Sequence, residues 1–116
     1  MLLEELSYEV LVIRNDVQKG ATLKVGENLS VGAVLGRVTA SGLLVLADDT
    51  ATDGSEVPFA ILLEDCDATD GDRECPIMLA GIVNEGALGF GGDFDADGVR
   101  DALRGSGIYL QTVMGA

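Results

Sequence analysis

The stretch Val31–Leu63, VGAVLGRVTASGLLVLADDTATDGSEVPFAILL, decides the fold, because it holds three short apolar runs that are each closed by turn residues. The runs are Ala33–Leu35, Leu43–Ala47 and Phe59–Leu63. Val, Leu and Ile suit a pleated, half-buried surface, whereas the Gly, Ser and Asp residues between the runs suit turns. The stretch therefore predicts a compact β core.

Apolar runs on both sides of this core extend the β pattern along the chain. Residues that alternate between two faces predict strands at Tyr8–Arg14 and Ala21–Val25. The apolar run Ile77–Val83 predicts another strand, and Ile108–Gln111 is the last predicted strand. Gly81 lies inside an apolar run and predicts a bulge or a close approach of the backbone. One short helix is predicted near the C-terminus, with Asp97 as its cap and Gly105 at its end.

Composition agrees with a single all-β domain. The chain has 116 residues, enough for one modest core, and 47% of them are hydrophobic, so it should fold. Its 16 Gly against 2 Pro imply many tight turns and few long helices. The predicted class is all-β, made mainly of short strands and loops with one short C-terminal helix.

The charge of the chain narrows the range of partners. Its 20 acidic and 7 basic residues give a formal net charge of −13. This charge argues against electrostatic binding to nucleic acid or to anionic membranes. No apolar stretch approaches the length that spans a membrane. The acidic residues are dispersed in turns, which is typical of a solvated surface.

Several residues that catalysis commonly needs are missing. There is no His, so neither a Ser-His-Asp nor a Cys-His unit can be assembled. The chain also lacks a Gly-rich phosphate loop with its lysine. These absences predict a protein that is not an enzyme and that carries no cofactor.

Cys66 and Cys75 are the two cysteines, and without a His they do not make a zinc site. Their spacing in the sequence permits a disulfide bond between them. Met1 is followed by Leu2, Leu3 and two glutamates, which does not match a secretory signal. Reduced thiols in a cytosolic setting are therefore the expectation.

The segment Asp93–Gly98, DFDADG, matches the start of a calcium loop, with Asp93, Asp95 and Asp97 as candidate ligands. The twelfth position of such a loop should hold a bidentate Glu, but Arg104 stands there. The segment therefore favours a turn followed by an Asp-capped helix, and the three aspartates form a weak calcium candidate only.

The N-terminal segment allows two interpretations. Leu2, Leu3 and Leu6 precede the predicted strand Tyr8–Arg14, which Asn15-Asp16 is expected to end. The strand is either an ordinary first strand of the domain or part of a detachable arm that pairs with a partner's sheet edge. The predicted division is an arm over residues 1–16 and one β-rich domain over residues 17–116.

Four motifs, in this order, make the chain resemble the head decoration protein family of tailed bacteriophages. Gly32–Val38 resembles the "G-x-V-L-G" segment of the family. Asp53–Glu56 with Ala60–Leu62 resembles its "D-G-S … G-I-L" segment, with Ala60 in place of the usual Gly. The strand and turn Ile77–Asn84 and the end Ala102–Ile108 complete a resemblance that covers about Leu23–Leu110.

The resemblance implies a β-clip-like fold and a structural role in the virion. Members of the family form homotrimers on three-fold sites of the expanded capsid, where they act as an external cement against the pressure of packaged DNA. The implied partners are the major capsid protein and further copies of the chain. The implied location is the outer surface of the capsid, after synthesis in the cytoplasm of the bacterial host.

The resemblance also implies a capsid-binding arm. In the family an N-terminal arm, flexible in the free protein, becomes ordered on the capsid and adds to a sheet of the capsid protein. Main-chain hydrogen bonds then provide affinity and alternate side chains provide selectivity. By position and pattern, the corresponding capsid-contact residues are predicted to be Leu2, Leu3, Leu6, Tyr8, Val10 and Val12.

The alternative interpretation is a small β-rich binding module without catalysis, of the barrel-sandwich type found in biotinyl and lipoyl carriers. Such carriers need a lysine at an exposed hairpin tip. The two lysines, Lys19 and Lys24, flank an early strand and no obvious tip. A β-clip nucleotide pyrophosphatase would need metal-binding and substrate-gripping residues that the sequence does not show.

Overall fold

Over residues 11–112 the fold is mainly strands with one short α-helix, which confirms the predicted all-β class; the β-clip assignment stays a prediction. The computed structural model describes residues 11–112. The helix, α1, spans Ala96–Ser106, and a 3-10 turn spans Glu85–Ala87. The strands are β1 Val12–Leu23, β2 Asn28–Leu29, β3 Val34–Arg37, β4 Leu44–Leu46, β5 Ala60–Leu62, β6 Cys66–Asp67, β7 Arg73–Asn84 and β8 Ile108–Gln111.

Six of the strands form one sheet in the order β1-β4-β3-β5-β7-β8, and β1 also pairs with β7. Five strands therefore close into a ring, and β8 extends the sheet from β7. The β1–β4 and β7–β8 pairs are parallel, and the other pairs of the sheet are antiparallel. Strands β2 and β6 form a separate pair.

The long pair β1–β7 corrects the predicted strand ends. Both strands have 12 residues, and their register runs from Val12 opposite Val83 to Leu23 opposite Arg73. The predicted strand end at Asn15-Asp16 is wrong, because pairing with β7 carries β1 through this polar segment. The β1–β7 register shifts around these residues, so that β1 accommodates unpaired residues without ending.

The acidic stretch Asp65–Glu74 is partly extended. Its Asp, Gly and Thr residues are typical of a loop, but it contains β6 and the first residues of β7. Asn28 and Leu29 pair with Asp67 and Cys66, so distant residues supply the hydrogen bonds that hold this segment extended.

The central stretch Val31–Leu63 contributes to two apolar clusters, which confirms the predicted β core. Val34 and Ile61 lie in one cluster, whereas their neighbours Leu35 and Leu62 lie in the other. Strands β3 and β5 are thus buried on both faces, because successive side chains of a strand point in opposite directions. The first cluster also holds residues from β7, α1 and β8, namely Met78, Val83, Val99, Leu103 and Ile108.

The predicted helix is present, but its caps are wrong by two residues at each end. Asp95 is the N-cap, and its carboxylate accepts a hydrogen bond from the N–H of Gly98 at 2.7 Å. Asp97 instead lies in the first turn, where its negative charge interacts favourably with the positive end of the helix dipole. Gly105 lies inside the helix, which ends before Gly107.

Gly81 marks a close approach of two backbones, as predicted. It lies opposite Asn15 in the β1–β7 pair, and a Cβ atom at this position would overlap the carbonyl oxygen of Arg14. Only a glycine lets the two long strands come this close.

Candidate interaction surface

The predicted arm is only partly covered by the structure. Val12 opens β1 opposite Val83 and packs, partly buried, against the first core cluster. Leu11, directly before it, is 1% exposed. The domain therefore holds the chain firmly at residues 11 and 12. The other predicted contact residues lie outside the described residues; they are Leu2, Leu3, Leu6, Tyr8 and Val10.

Apolar side chains are exposed on β1 and β8. Ile13 and Val17 of β1 are 44% and 47% exposed, and Tyr109 of β8 is 53% exposed. Ile82 of β7 pairs with Arg14 on one side and with Tyr109 on the other. Paired residues of adjacent strands have side chains on the same face, so these three strands present one continuous outer surface. We call Arg14, Val17, Ile82 and Tyr109 the β1–β8 face.

The β1–β8 face is not visible in the sequence pattern. Val17 and Tyr109 are far apart in the chain, and only the β1–β7 and β7–β8 pairings bring their strands together. Isolated exposed apolar residues are ordinary, but a cluster across neighbouring strands is typical of an interaction surface. The sequence pattern placed Ile82 and Tyr109 on predicted strands, but Val17 lay beyond the predicted strand end at Asn15-Asp16.

Strand β8 also has an edge open to pairing. Within residues 11–112, β8 pairs with β7 alone, through Gly81–Ile108 to Asn84–Gln111. Its second edge is therefore available to the main chain of another segment, the geometry that strand addition uses.

An ionic cluster holds the end of β8 in place. Arg100 of α1 donates to Glu85 at 2.7 Å and to Asp97 at 3.2 Å. The hydroxyl of Thr112, just beyond β8, also donates to Glu85. The bonds from Thr112 and Arg100 hold the pKa of Glu85 below its usual value, and the same carboxylates raise the pKa of Arg100.

Three aspartates form the same kind of local turn. The carboxylates of Asp48, Asp53 and Asp67 each accept hydrogen bonds from the N–H and hydroxyl groups two residues later. The donors are Thr50, Ser55 and Thr69. Such Asx turns lower the pKa of all three carboxyl groups and give them a role in loop structure.

The calcium-candidate aspartates have separate contacts. Asp95 caps α1 and Asp97 pairs with Arg100. The N–H of Asp93 donates to the carboxylate of Asp49 at 2.9 Å, which connects the segment to the loop between β4 and β5. Between residues 11 and 112, no group of three or more His, Cys, Asp or Glu side chains is gathered as a metal site.

Cys66 and Cys75 are free, buried thiols in β6 and β7. Burial, the adjacent Cys66 thiol and the charges of Glu64 and Glu74 raise the pKa of Cys75 to about 12. A thiol with this pKa stays protonated at neutral pH and is a poor nucleophile. The pair therefore serves the second core cluster as apolar packing.

The sequence matches the model of a known protein family over most of its length. The family model for bacteriophage lambda head decoration protein D matches residues 5–109 of the 116-residue chain. The chain belongs to this family. None of the curated proteins matches the chain.

Membership in the head decoration family is the resemblance that the sequence motifs indicated, and it is confirmed. It identifies a phage head protein of a structural family, located in the capsid of the virion. The family favours this role over a biotinyl or lipoyl carrier. Lys19 also lies within β1, away from any hairpin tip. No helix in residues 11–112 has the length and apolar character needed to cross a membrane.

Proposed function

We propose that this protein is a non-catalytic capsid cement. It binds as a homotrimer to the outside of the expanded phage head and stabilises the shell against the internal pressure of packaged DNA. The family match carries this proposal. The net charge of −13 supports an outer position, because a strongly acidic surface is repelled by packaged DNA.

The capsid contact is made by the N-terminal segment, through strand addition to a capsid-protein sheet. Val12, Arg14 and Asn15 are paired with β7, and Leu11 is buried, so this segment belongs to the domain in the free protein. The part available for the capsid is therefore residues 1–10, with Leu2, Leu3, Leu6, Tyr8 and Val10 as contact residues. Repeated trimers over a shell gain by multivalency even when each contact is modest.

Co-sedimentation with purified cognate capsids tests the function. The protein should sediment with expanded heads and stay in the supernatant with unexpanded heads. Sedimentation equilibrium should give three times the 12.0 kDa chain mass. Absence of binding to expanded heads would contradict the proposal.

Two truncations separate the arm from the domain. Removing residues 1–10 should abolish capsid binding and leave the unfolding transition unchanged, because Leu11 and β1 remain. Removing residues 1–16 should also lower the unfolding temperature, because it deletes Leu11 and the first five residues of β1, three of which are paired with β7. Full capsid binding by the shorter truncation would show that the contact lies elsewhere, with the β1–β8 face as the next candidate.

A further inference from the structure

A pocket of about 240 Å³ opens beside the second core cluster. Its floor is apolar: Leu44 and Ile77 belong to that cluster, and Phe59 and Leu79 pack against it. Strands β1, β3, β4 and β7 contribute to the wall. The volume is sufficient for one large aliphatic or aromatic side chain, since a cavity of about 150 Å³ already holds benzene.

Two cations border the pocket. Lys19 comes from β1 and Arg37 from the end of β3, and the Arg37 guanidinium lies 5.9 Å from the centre of the Phe59 ring. No carboxylate is among the residues that line the pocket. The pocket therefore combines an apolar floor with a positively charged border.

Neither of these cations has an ion-pair partner within residues 11–112. Arg14, Arg100 and Arg104 form ion pairs there, whereas Lys19 and Arg37, like Lys24 and Arg73, form none. Lys19 and Arg37 both line the same open apolar site. A carboxylate brought by another molecule would find both charges unneutralised.

We propose that this pocket is a docking site for a segment of a partner protein in which a large apolar side chain is flanked by Asp or Glu. The apolar side chain enters between Leu44, Phe59 and Ile77. The flanking carboxylates pair with Lys19 and Arg37, which are exposed at the border. This complementarity of charge selects against neutral or basic apolar segments, which would leave the cations unpaired.

The probe is the peptide acetyl-Glu-Leu-Leu-Glu-amide, titrated into ¹⁵N-labelled full-length protein and followed by amide chemical shifts. The neutral control is acetyl-Gln-Leu-Leu-Gln-amide. The protein variants are Lys19→Gln and Arg37→Gln, with Lys24→Gln as the matched control, because Lys24 is a nearby lysine outside the pocket lining.

The acidic peptide should bind saturably with shifts centred on the pocket residues. Lys19→Gln and Arg37→Gln should each weaken binding by about fivefold, as should the neutral peptide, whereas Lys24→Gln should have little effect. Equal effects of all three variants would mean general charge attraction and would overturn the proposal. Shifts centred elsewhere would overturn it as well.

Sedimentation equilibrium of the same variants tests whether a second copy of this chain occupies the pocket. The oligomeric mass of Lys19→Gln and Arg37→Gln should equal that of the unaltered protein. A lower mass would assign the pocket to a contact between copies of this chain and would overturn the proposal for a separate partner. This readout is independent of capsid binding, so it fails or succeeds separately from the cement function.

Discussion

Gly36 lies so close to Ser55 that a Cβ atom at residue 36 would overlap the carbonyl oxygen of Ser55. Ser55 is itself 2% exposed, and its N–H and hydroxyl donate to the Asp53 carboxylate at 3.0 and 2.5 Å. Two of the sequence motifs that indicated the family therefore meet in space. The Asx turn fixes the Ser55 backbone, and the missing side chain at Gly36 lets β3 pack directly against it.

Gly36→Ala should lower the free energy of unfolding by about 1–3 kcal/mol, the usual cost of forcing an extra carbon into a packed site. Gly71→Ala is the matched control, because a Cβ atom there meets nothing within 4 Å. Urea denaturation of both variants provides the measurement. Equal stability of the two variants would show that the contact between β3 and the Ser55 turn can relax freely.

Gly105→Ala should raise the free energy of unfolding by about 0.5–1 kcal/mol, because alanine is the better residue inside a helix. The structure places Gly105 within α1, with open space around its Cα. If the helix instead ended at Gly105, as the sequence predicted, the same substitution would be destabilising. Thermal unfolding followed by circular dichroism distinguishes these outcomes by sign.

Arg100→Gln should destabilise the protein more than Arg104→Gln at neutral pH. Arg100 lies 2.7 Å from Glu85 in a partly buried cluster, whereas Arg104 lies 3.8 Å from an exposed Asp101. Chemical denaturation of the two variants at neutral and acidic pH provides the comparison.

The pH dependence of this pair follows from the lowered pKa of Glu85. A carboxyl group with a lowered pKa in the fold stabilises it above its unfolded pKa, and this contribution is lost as the pH falls through the folded value. The difference between Arg100→Gln and the unaltered protein should therefore shrink in acid. A difference that persists unchanged at low pH would mean that Arg100 acts through packing alone.

Stability should decrease at alkaline pH through Cys75. The pKa of its thiol is raised from 9.0 to about 12 in the fold. Between these values the unfolded chain loses the proton and the folded chain keeps it, so rising pH favours unfolding by at most about 1.4 kcal/mol per pH unit. At neutral pH, well below 9.0, both states keep the proton, so the thiol contributes almost no slope.

Cys75→Ala isolates this contribution from other groups that titrate in alkali. Guanidinium denaturation of both proteins across the alkaline range should show a shallower decline for the variant. Since Cys75 is 3% exposed, the substitution also leaves a small cavity, which lowers stability by an amount independent of pH. Parallel curves for the two proteins would contradict the raised pKa.

The sequence by itself determined the β core, the late helix and the family. The runs within Val31–Leu63 alternate with turn residues, and this local signal predicts strands without knowledge of their partners. The spacing of Val99 and Leu103 likewise placed one apolar face on a helix, and both side chains are buried. The predicted cap residues of this helix were wrong by two positions at each end. Asp95 and Asp97 are equivalent as N-caps, and Gly105 and Gly107 are equivalent at the C-terminal end, so only the packed position of the helix selects among them.

The tertiary structure decided everything that depends on pairing between distant segments. β1 continues through Asn15-Asp16 because β7 supplies hydrogen bonds from the other end of the chain, a contribution that no local propensity contains. The same pairings gather Val17, Ile82 and Tyr109 on one face and bring Lys19 and Arg37 to one pocket. Local pattern thus specifies which residues form strands, while nonlocal hydrogen bonding and packing determine how long the strands run and which side chains meet.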